Sequence, residues 1–344
     1  MERIQDASGS RRCRIKDRML REAQDRLAVL IPVFNDWDCV ALLIPRLDAA
    51  LKACASESEL VLIDDGSSIP VPENLLRAPL ENLRAVRVLH LRRNLGHQRA
   101  IAIGLYHVYQ EIPCRAVVVM DGDGEDRPED IARLVEALDR SHDRNVIFAA
   151  RTRRMETLVF KTFYHLYRAA HRLLTGVAVR VGNFSIVPHA ALSRLMVNSE
   201  LWNHYAAAVF RSRLAHEMVP LARDRRLSGR SRMNFTALIV HGISAIAVFS
   251  DVVSVRLLIA AALSGIVSLL LIAAVASVRF CTNLAIPGWA TFATGFLLVI
   301  SIQAVMLSVM LVFVIVSGRS ATSFIPLRDA PYFIKEETQL LPRP

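Results

Sequence analysis

Lysine is nearly missing from this 344-residue chain, which has only Lys16, Lys52, Lys161 and Lys335. The formal charge of +10 is therefore carried almost wholly by arginine. A guanidinium can grip phosphate or carboxylate with two parallel donors, where an ammonium acts as a point charge. Genomic base composition produces the same bias. Cysteine is also sparse: Cys13, Cys39, Cys54, Cys114 and Cys281 are odd in number and scattered. No C-x-x-C and no Cys/His spacing suggests zinc, so they read as free thiols in a reducing compartment. No G-x-G-x-x-G follows the first apolar run, which argues against a dinucleotide fold of the usual kind. A Walker A sequence, an internal repeat and a low-complexity segment are missing too. Residues 1–26 are rich in arginine and acid and have no apolar h-region. They read as a basic arm able to rest on anionic lipid, and not as a signal peptide.

What is present is strongly divided. Apolar residues make up 53% of the chain and charged residues 22%, with the charge mostly before Asp251 and the hydrophobicity after it. Leu257–Val278 and Trp289–Ser317 are apolar runs. The first is about 22 residues, which at ~1.5 Å per residue spans the ~30 Å hydrocarbon core of a bilayer. The second is longer and can tilt. Arginines crowd the region before the first run, and Arg319, Arg328 and Lys335 follow the second. The positive-inside rule then places both termini in the cytoplasm, with a short link around Pro287-Gly288-Trp289 outside. Residues 234–256 carry Phe235, Leu238, Ile239, Ile243, Ile246 and Phe249 on one helical face. That pattern suits interfacial helices or packing on the preceding domain.

The charged part alternates strand and helix. Short apolar runs at 27–34, 59–63, 86–91, 116–120, 145–150 and 182–186 read as strands. Helical stretches are expected around 38–54, up to about 109, after Pro128-Glu129-Asp130 and around 155–174. This order predicts an α/β fold with a mostly parallel sheet flanked by helices and ligands at the carboxyl ends of the strands. Those ends are acidic. Val117–Met120 runs into Asp121-Gly122-Asp123-Gly124-Glu125, and Val61–Ile63 runs into Asp64-Asp65-Gly66-Ser67. An unpaired buried carboxylate is too costly, so these groups belong at exposed strand ends. Carboxylates at alternate positions there suit a divalent cation held against a diphosphate. An acidic edge on a basic protein repels nucleic acid and suits metal and nucleotide.

Taken in order and spacing, Ile31–Asp36, Val61–Ser67, Arg93–Gly96 and Met120–Glu129 resemble the inverting GT-A glycosyltransferases. The two C-terminal apolar runs, Arg226–Arg232 (beside an R-x-x-G-x-S-K pattern) and Pro287–Trp289 narrow the resemblance to the polyprenyl-phosphate glycosyltransferases. That group includes the dolichol-phosphate mannose synthases and bactoprenol glucosyltransferases. The resemblance covers roughly residues 27–317. It implies a nucleotide pocket lined by Pro32, Val33, Asn35, Asp36, Asp64, Asp65, Gly96, Asp121 and Gly122. It also implies Mg2+ or Mn2+ at Asp121, Asp123 and Glu125, with Asp123, Arg151, Arg226, Ser231 and Arg232 in the catalytic centre. The arginines and Ser231 would meet the phosphates of a nucleotide-sugar donor and a polyprenyl phosphate acceptor. The expected segments are an N-terminal arm (1–26), a GT-A catalytic domain (27–233), interfacial helices (234–256), two transmembrane helices (257–317) and a cytoplasmic tail (318–344). The expected location is the cytoplasmic membrane, and self-association through the spans is a further expectation.

The chain departs from the group's pattern at several positions. Glu125 stands where Gln is frequent, Asn183 where some relatives have Asp, and Arg232 where Lys is usual. The tail lacks G-E-Y-L-x-R-I and has Arg328-Asp329-Ala330-Pro331-Tyr332-Phe333-Ile334 instead. His97 is expected to shape the pocket or cap a helix, not to act as a base. Two other readings stay open: transfer to another lipid acceptor, such as diacylglycerol or a ceramide-like lipid, and a non-catalytic basic membrane-binding protein.

Overall fold

The computed structural model describes residues 26–54, 57–151, 169, 172–176, 181–229, 242–282, 288–320 and 324–342. The chain forms two units. One comprises Met1–Leu158, Val179–Val248 and Phe324–Pro344, and the other Val159–Ala178 and Phe249–Ser323.

The first unit is built on one sheet. Its elements are β1 (Arg26–Val33), α1 (Trp37–Leu51), β2 (Glu57–Asp64), β3 (Leu83–Leu91), α2 (His97–Glu111) and β4 (Ala116–Val119). They continue with α3 (Ile131–Arg140), β5 (Val146–Arg151), β6 (Val181–Pro188), α4 (His189–Leu195), α5 (Tyr205–Arg211) and β7 (His216–Leu221). The strand order is β7-β5-β6-β4-β1-β2-β3-β8, where β8 is Ile334–Leu341. Neighbours β1, β2, β3 and β4 run parallel, and β6 and β8 are antiparallel to their neighbours. The expected mostly parallel sheet is therefore present, as are the six expected strands. The structure adds two that periodicity did not reveal, β7 and β8.

Both faces of the central strands are covered, which is why they read as unbroken apolar runs. Along β1, Leu27, Val29 and Ile31 pack with α1 and α3 residues such as Leu43, Leu47 and Leu134. Ala28 and Leu30 face the other way, into a layer with Ile101, Ile103, Leu192 and Tyr205. Gly104 lies inside α2, where a Cβ would fall 2.6 Å from Leu30 Cδ1 and 2.8 Å from Ile63 Cγ1. The helix can approach the sheet this closely only without a side chain at that point. The Pro128–Asp130 turn leads into α3 as expected, with Pro at the first position, where no helical N–H bond is lost.

The segment after the second apolar run is not a free tail. Pro326–Asp329 and Ala330–Phe333 form short helical turns, and β8 follows on the edge of the sheet beside β3. Ala330 is fully buried, Phe324 and Phe333 lie against Trp202, and Arg92 N donates to Phe333 O at 2.9 Å. Residues 334–341 thus belong to the sheet of the first unit and 324–333 pack beside it, where the sequence reading expected a separate cytoplasmic tail.

In the second unit, α6 (Ser250–Cys281) and α7 (Trp289–Ser320) are each 32 residues long and apolar enough to cross a membrane. Their apolar side chains are largely exposed, as in Leu270, Phe280, Phe292 and Phe313. Small residues lie between them: Gly265 faces Ala304, Ser268 Oγ donates to Leu297 O at 2.7 Å, and Ala261 is buried. Small contact residues and a hydroxyl bond of this kind suit helix pairing in lipid. α6 starts before the expected Leu257, so residues 250–256 are its first turns and not a separate interfacial helix. Residues 242–247 are helical, and 234–241 lie outside the described residues. So do residues 1–25 of the arm and most of the 155–174 stretch, including Lys161 and Arg168; Arg180 does too.

Replacing Gly104 by Val should lower stability by about 2–3 kcal/mol through overpacking at β1 and β2. Thermal unfolding of the detergent-solubilised full chain would show this as a lower midpoint.

Candidate functional site

Parallel running brings the carboxyl ends of β1, β2, β4, β5 and β7 to one edge. β1 delivers Asn35 and Asp36, β2 delivers Asp64 and Asp65, and β4 delivers Asp121 to Asp126. β5 ends at Arg151, which pairs in register with Leu221 of β7. Arg223 and Arg226 follow β7 directly. Sequence-distant groups of opposite charge are therefore neighbours because of strand direction alone.

One half of the site is a set of tight turns around Asp65. Asp65 is 2% exposed, and its two oxygens accept the backbone N–H groups of Leu95 (2.7 Å) and Gly96 (2.9 Å). Its own N–H donates to Val33 O at 2.8 Å. Burial, opposed by those two bonds and by His97, pushes its pKa up to about 6. Gly66 has φ +68°, and a Cβ there would lie 2.5 Å from Asn94 N, so only glycine fits. Asn35 has φ +54°. Its N–H donates to Ser67 Oγ at 2.9 Å, and its Oδ1 accepts Ile69 N–H at 2.9 Å. Ser67 N–H in turn donates to Asp64 Oδ1 at 2.9 Å. Pro32 and Val33 form the strand end beneath, and Gly122 fits closely over Ile31.

The other half joins the acidic turn to the arginine loop. Leu227 N donates to Asp123 O at 3.0 Å, and Asp224 N donates to Glu125 O at 2.9 Å. Gly124, at φ +78°, leaves the space that Leu227 fills. Arg226 pairs with Asp36 and lies 3.6 Å from Asp123 Oδ2. Its Nε donates to Ser228 O at 2.7 Å, which also accepts the Cys39 thiol at 3.2 Å. Arg223 reaches three acids: Glu125, Asp121 at 3.5 Å and Asp126 at 3.7 Å. Asp126, itself buried, accepts Asp121 N–H at 3.1 Å and so shapes the turn from below.

His97, the first residue of α2 and 42% exposed, links the two halves. Its Nε2 is 3.1 Å from Asp121 Oδ1 and 2.8 Å from Asn183 Nδ2. Protonated, the ring donates to Asp121; neutral, it accepts from the Asn183 amide. Desolvation opposes its charge, but Asp121, Asp65 and Asp123 outweigh that and raise its pKa. Burial likewise works to raise the Asp121 pKa, yet His97 and Arg223 hold it well below the usual carboxylate range. Asp123 goes the other way: burial first, then the charges of Asp121 and Glu125, raise its pKa. Asn183 is held by Gln98, whose Nε2 donates to its Oδ1 at 3.0 Å, and it donates to Asp121 at 3.2 Å. His97 thus ties the acidic turn to Asn183.

Hard carboxylate oxygens suit Mg2+ or Mn2+, and Asp123 carries repulsion that a cation would relieve. Among the described residues, however, no group of three His, Cys, Asp or Glu side chains is arranged to hold a metal. Each of the three expected ligands stands beside a guanidinium: Glu125 beside Arg223, Asp121 beside Arg223 at 3.5 Å, and Asp123 beside Arg226 at 3.6 Å. Arg151 sits on the same edge by backbone position; Ser231 and Arg232 lie outside the described residues. Sequence reading missed Arg223. Arg223 lies three residues before Arg226, and only the fold shows that both face the acidic turn.

Residues 28–202 match the family model for Glycosyl transferase family 2. Curated relatives include three proteins named undecaprenyl-phosphate 4-deoxy-4-formamido-L-arabinose transferase. That of Photorhabdus laumondii is 32% identical over 151 residues, covering 44% of this chain and 45% of that protein. That of Edwardsiella ictaluri is 32% identical over 168 residues, covering 49% and 48%. That of Klebsiella pneumoniae is 30% identical over 221 residues, covering 62% and 64%. The chain thus spans about half to under two thirds of the length of these relatives. Among solved structures, glucosyl-3-phosphoglycerate synthase from Mycobacterium tuberculosis, in complex with Mn2+, UDP-glucose and phosphoglyceric acid, is 16% identical with TM-score 0.48. It covers 68% of this chain and 82% of that one. Mannosyl-3-phosphoglycerate synthase from Rubrobacter xylanophilus is 14% identical with TM-score 0.45, covering 69% and 76%.

Asp65 makes stability depend on pH in a defined direction. Its pKa is raised in the folded chain, so between about pH 4 and 6 the folded state binds more protons and stability falls as pH rises. Relative to Asp65→Asn, the wild type should lose about 2 kcal/mol between pH 4 and 7. Paired thermal melts across that range measure it.

Proposed function

Because this chain belongs to glycosyl transferase family 2, we propose that it transfers one sugar, with inversion, from a nucleoside-diphosphate donor to polyprenyl phosphate. The observation that carries this reading is the union of the Asp121–Glu125 turn with the Arg223–Arg226 loop at one strand-end edge. That edge offers carboxylates for a divalent cation and guanidiniums for phosphate within a few ångströms of each other. The names of the curated relatives support undecaprenyl phosphate or a similar lipid as acceptor.

In this reading the turns around Asn35, Asp36, Asp64, Asp65 and Gly96 seat the nucleoside, and Pro32, Val33 and Gly122 form the floor beneath it. Asp121 and Asp123 would hold Mg2+ or Mn2+, which when bound neutralises charge on the leaving diphosphate. Arg226, freed from Asp36 by the donor, and Arg151, Ser231 and Arg232 would position phosphates of donor and acceptor. An oxygen of the lipid phosphate forms the new bond to the anomeric carbon, and the bond to the diphosphate breaks with its electron pair. The nucleophile is already anionic near neutral pH, so no strong base is needed. Asn183 at the pocket wall supplies none, which favours an ionised acceptor over a neutral hydroxyl.

The lipid acceptor suits the two apolar helices. Chain before α6 and chain after α7 contribute β1–β7 and β8 to the same sheet. This supports an even number of crossings with both flanks on one side, which arginine placement makes the cytoplasmic side.

With purified full-length protein, polyprenyl phosphate and a panel of UDP- and GDP-sugars, one donor should yield a glycosylated lipid phosphate by mass spectrometry. Asp123→Asn should reduce transfer by roughly 100-fold or more, as loss of a key electrostatic group does, with an unchanged melting profile. Full transfer after complete chelation of divalent cations would refute the metal-assisted mechanism.

A further inference from the structure

We propose that the strand following the second apolar helix positions the nucleotide pocket through a hydrogen-bonded relay, Thr338–His90–Asp64–Ser67–Asn35. His90 is then a positioning residue for the donor. The inference rests on the nucleotide reading of the Asn35/Asp65 turns and adds to it a remote part of the chain.

The relay is continuous. β8 pairs antiparallel with β3, and Thr338 stands opposite Val88, two residues from His90. Thr338 Oγ1 is 3.3 Å from His90 Nε2, across 248 positions of sequence. His90 Nδ1 is 2.9 Å from Asp64 Oδ2, and the other oxygen of Asp64 accepts Ser67 N–H at 2.9 Å. Ser67 Oγ then accepts Asn35 N–H at 2.9 Å, at a residue whose φ of +54° needs support from its surroundings. Held at one oxygen only, the Asp64 carboxylate could turn about its terminal torsion; His90 removes that freedom. The adjoining Asp65 lies one peptide further along.

β8 is itself fixed. Arg87 Nη1 donates to Glu337 Oε1 at 2.9 Å on the opposite face of the strand, and Glu337 lies 3.6 Å from His107 of α2. Phe333 and Ala330 anchor the approach. Strand alternation assigns the two neighbours different tasks: Glu337 docks the strand, and Thr338 holds the relay. This gives a physical use to the Arg328–Ile334 stretch, whose sequence matched no expected pattern.

The test uses the full chain with Mg2+ and two probes, UDP and GDP, by titration calorimetry, together with donor KM and kcat. His90→Phe keeps bulk without the bonds and should weaken binding of the accepted nucleotide and raise donor KM about 10-fold, the loss of one to two bonds to a charged group. Its kcat should stay within about 2-fold, as for a change in uniform binding. His90→Asn, which can still donate to Asp64, should recover most of the affinity, and Thr338→Val should move it in the same direction as His90→Phe but less. Unchanged nucleotide affinity in His90→Phe overturns the relay. Equal loss in His90→Phe and His90→Asn also overturns it, because shape alone would then explain the effect. If the wild type binds neither UDP nor GDP, the nucleotide reading fails and the relay with it.

Discussion

The site depends on the compensation of one acidic turn by one arginine loop. Apolar β4 carries Asp121, Asp123, Glu125 and Asp126 to its end, where the last of these is buried. Charges of one sign at such spacing are tolerable at a partly dry strand end only with partners. Arg223 and Arg226 supply them, and two backbone hydrogen bonds bind their loop to the turn. The same pairing explains the divergent carboxylates: Asp121, between His97 and Arg223, is held ionised, while Asp123, with fewer compensating groups, resists ionisation. In the proposed function, a site that accepts both a cation and phosphate would benefit from groups of both signs already at hand, and donor binding would exchange partners instead of creating charges in a void.

The sheet that presents these groups is completed from both ends of the chain. β8 comes from beyond the two apolar helices and covers the edge of β3 that would otherwise be unpaired. A segment that appeared to be a tail is thereby part of the domain it follows. The constraint is topological as well as local, since the polypeptide must return to the sheet from which it left.

Legibility in the sequence followed the range of the interactions. The strands flanked by helices on both faces were readable because double-sided burial demands uninterrupted apolar runs. β7, with its burial broken by exposed positions, and β8, mostly exposed, carry little such signal. The strand-end acids were readable because few other placements of so many carboxylates after apolar strands are affordable. Glu125 was read as a third metal ligand, and its ion pair with Arg223 was not legible. Its guanidinium partner comes from about 100 residues away, so only folding revealed the competition.

The sequence by itself determined the α/β class, the location of the acidic edge and the two helices long enough to cross a membrane. Each follows from local periodicity or from the cost of burying charge, and both are written in short stretches of chain. Tertiary structure alone decided which opposite charges meet, that Arg223 holds Glu125, and that Thr338 stands beside His90. Those facts depend on strand order and direction, which bring distant residues together across the sheet and leave no periodic trace in either partner.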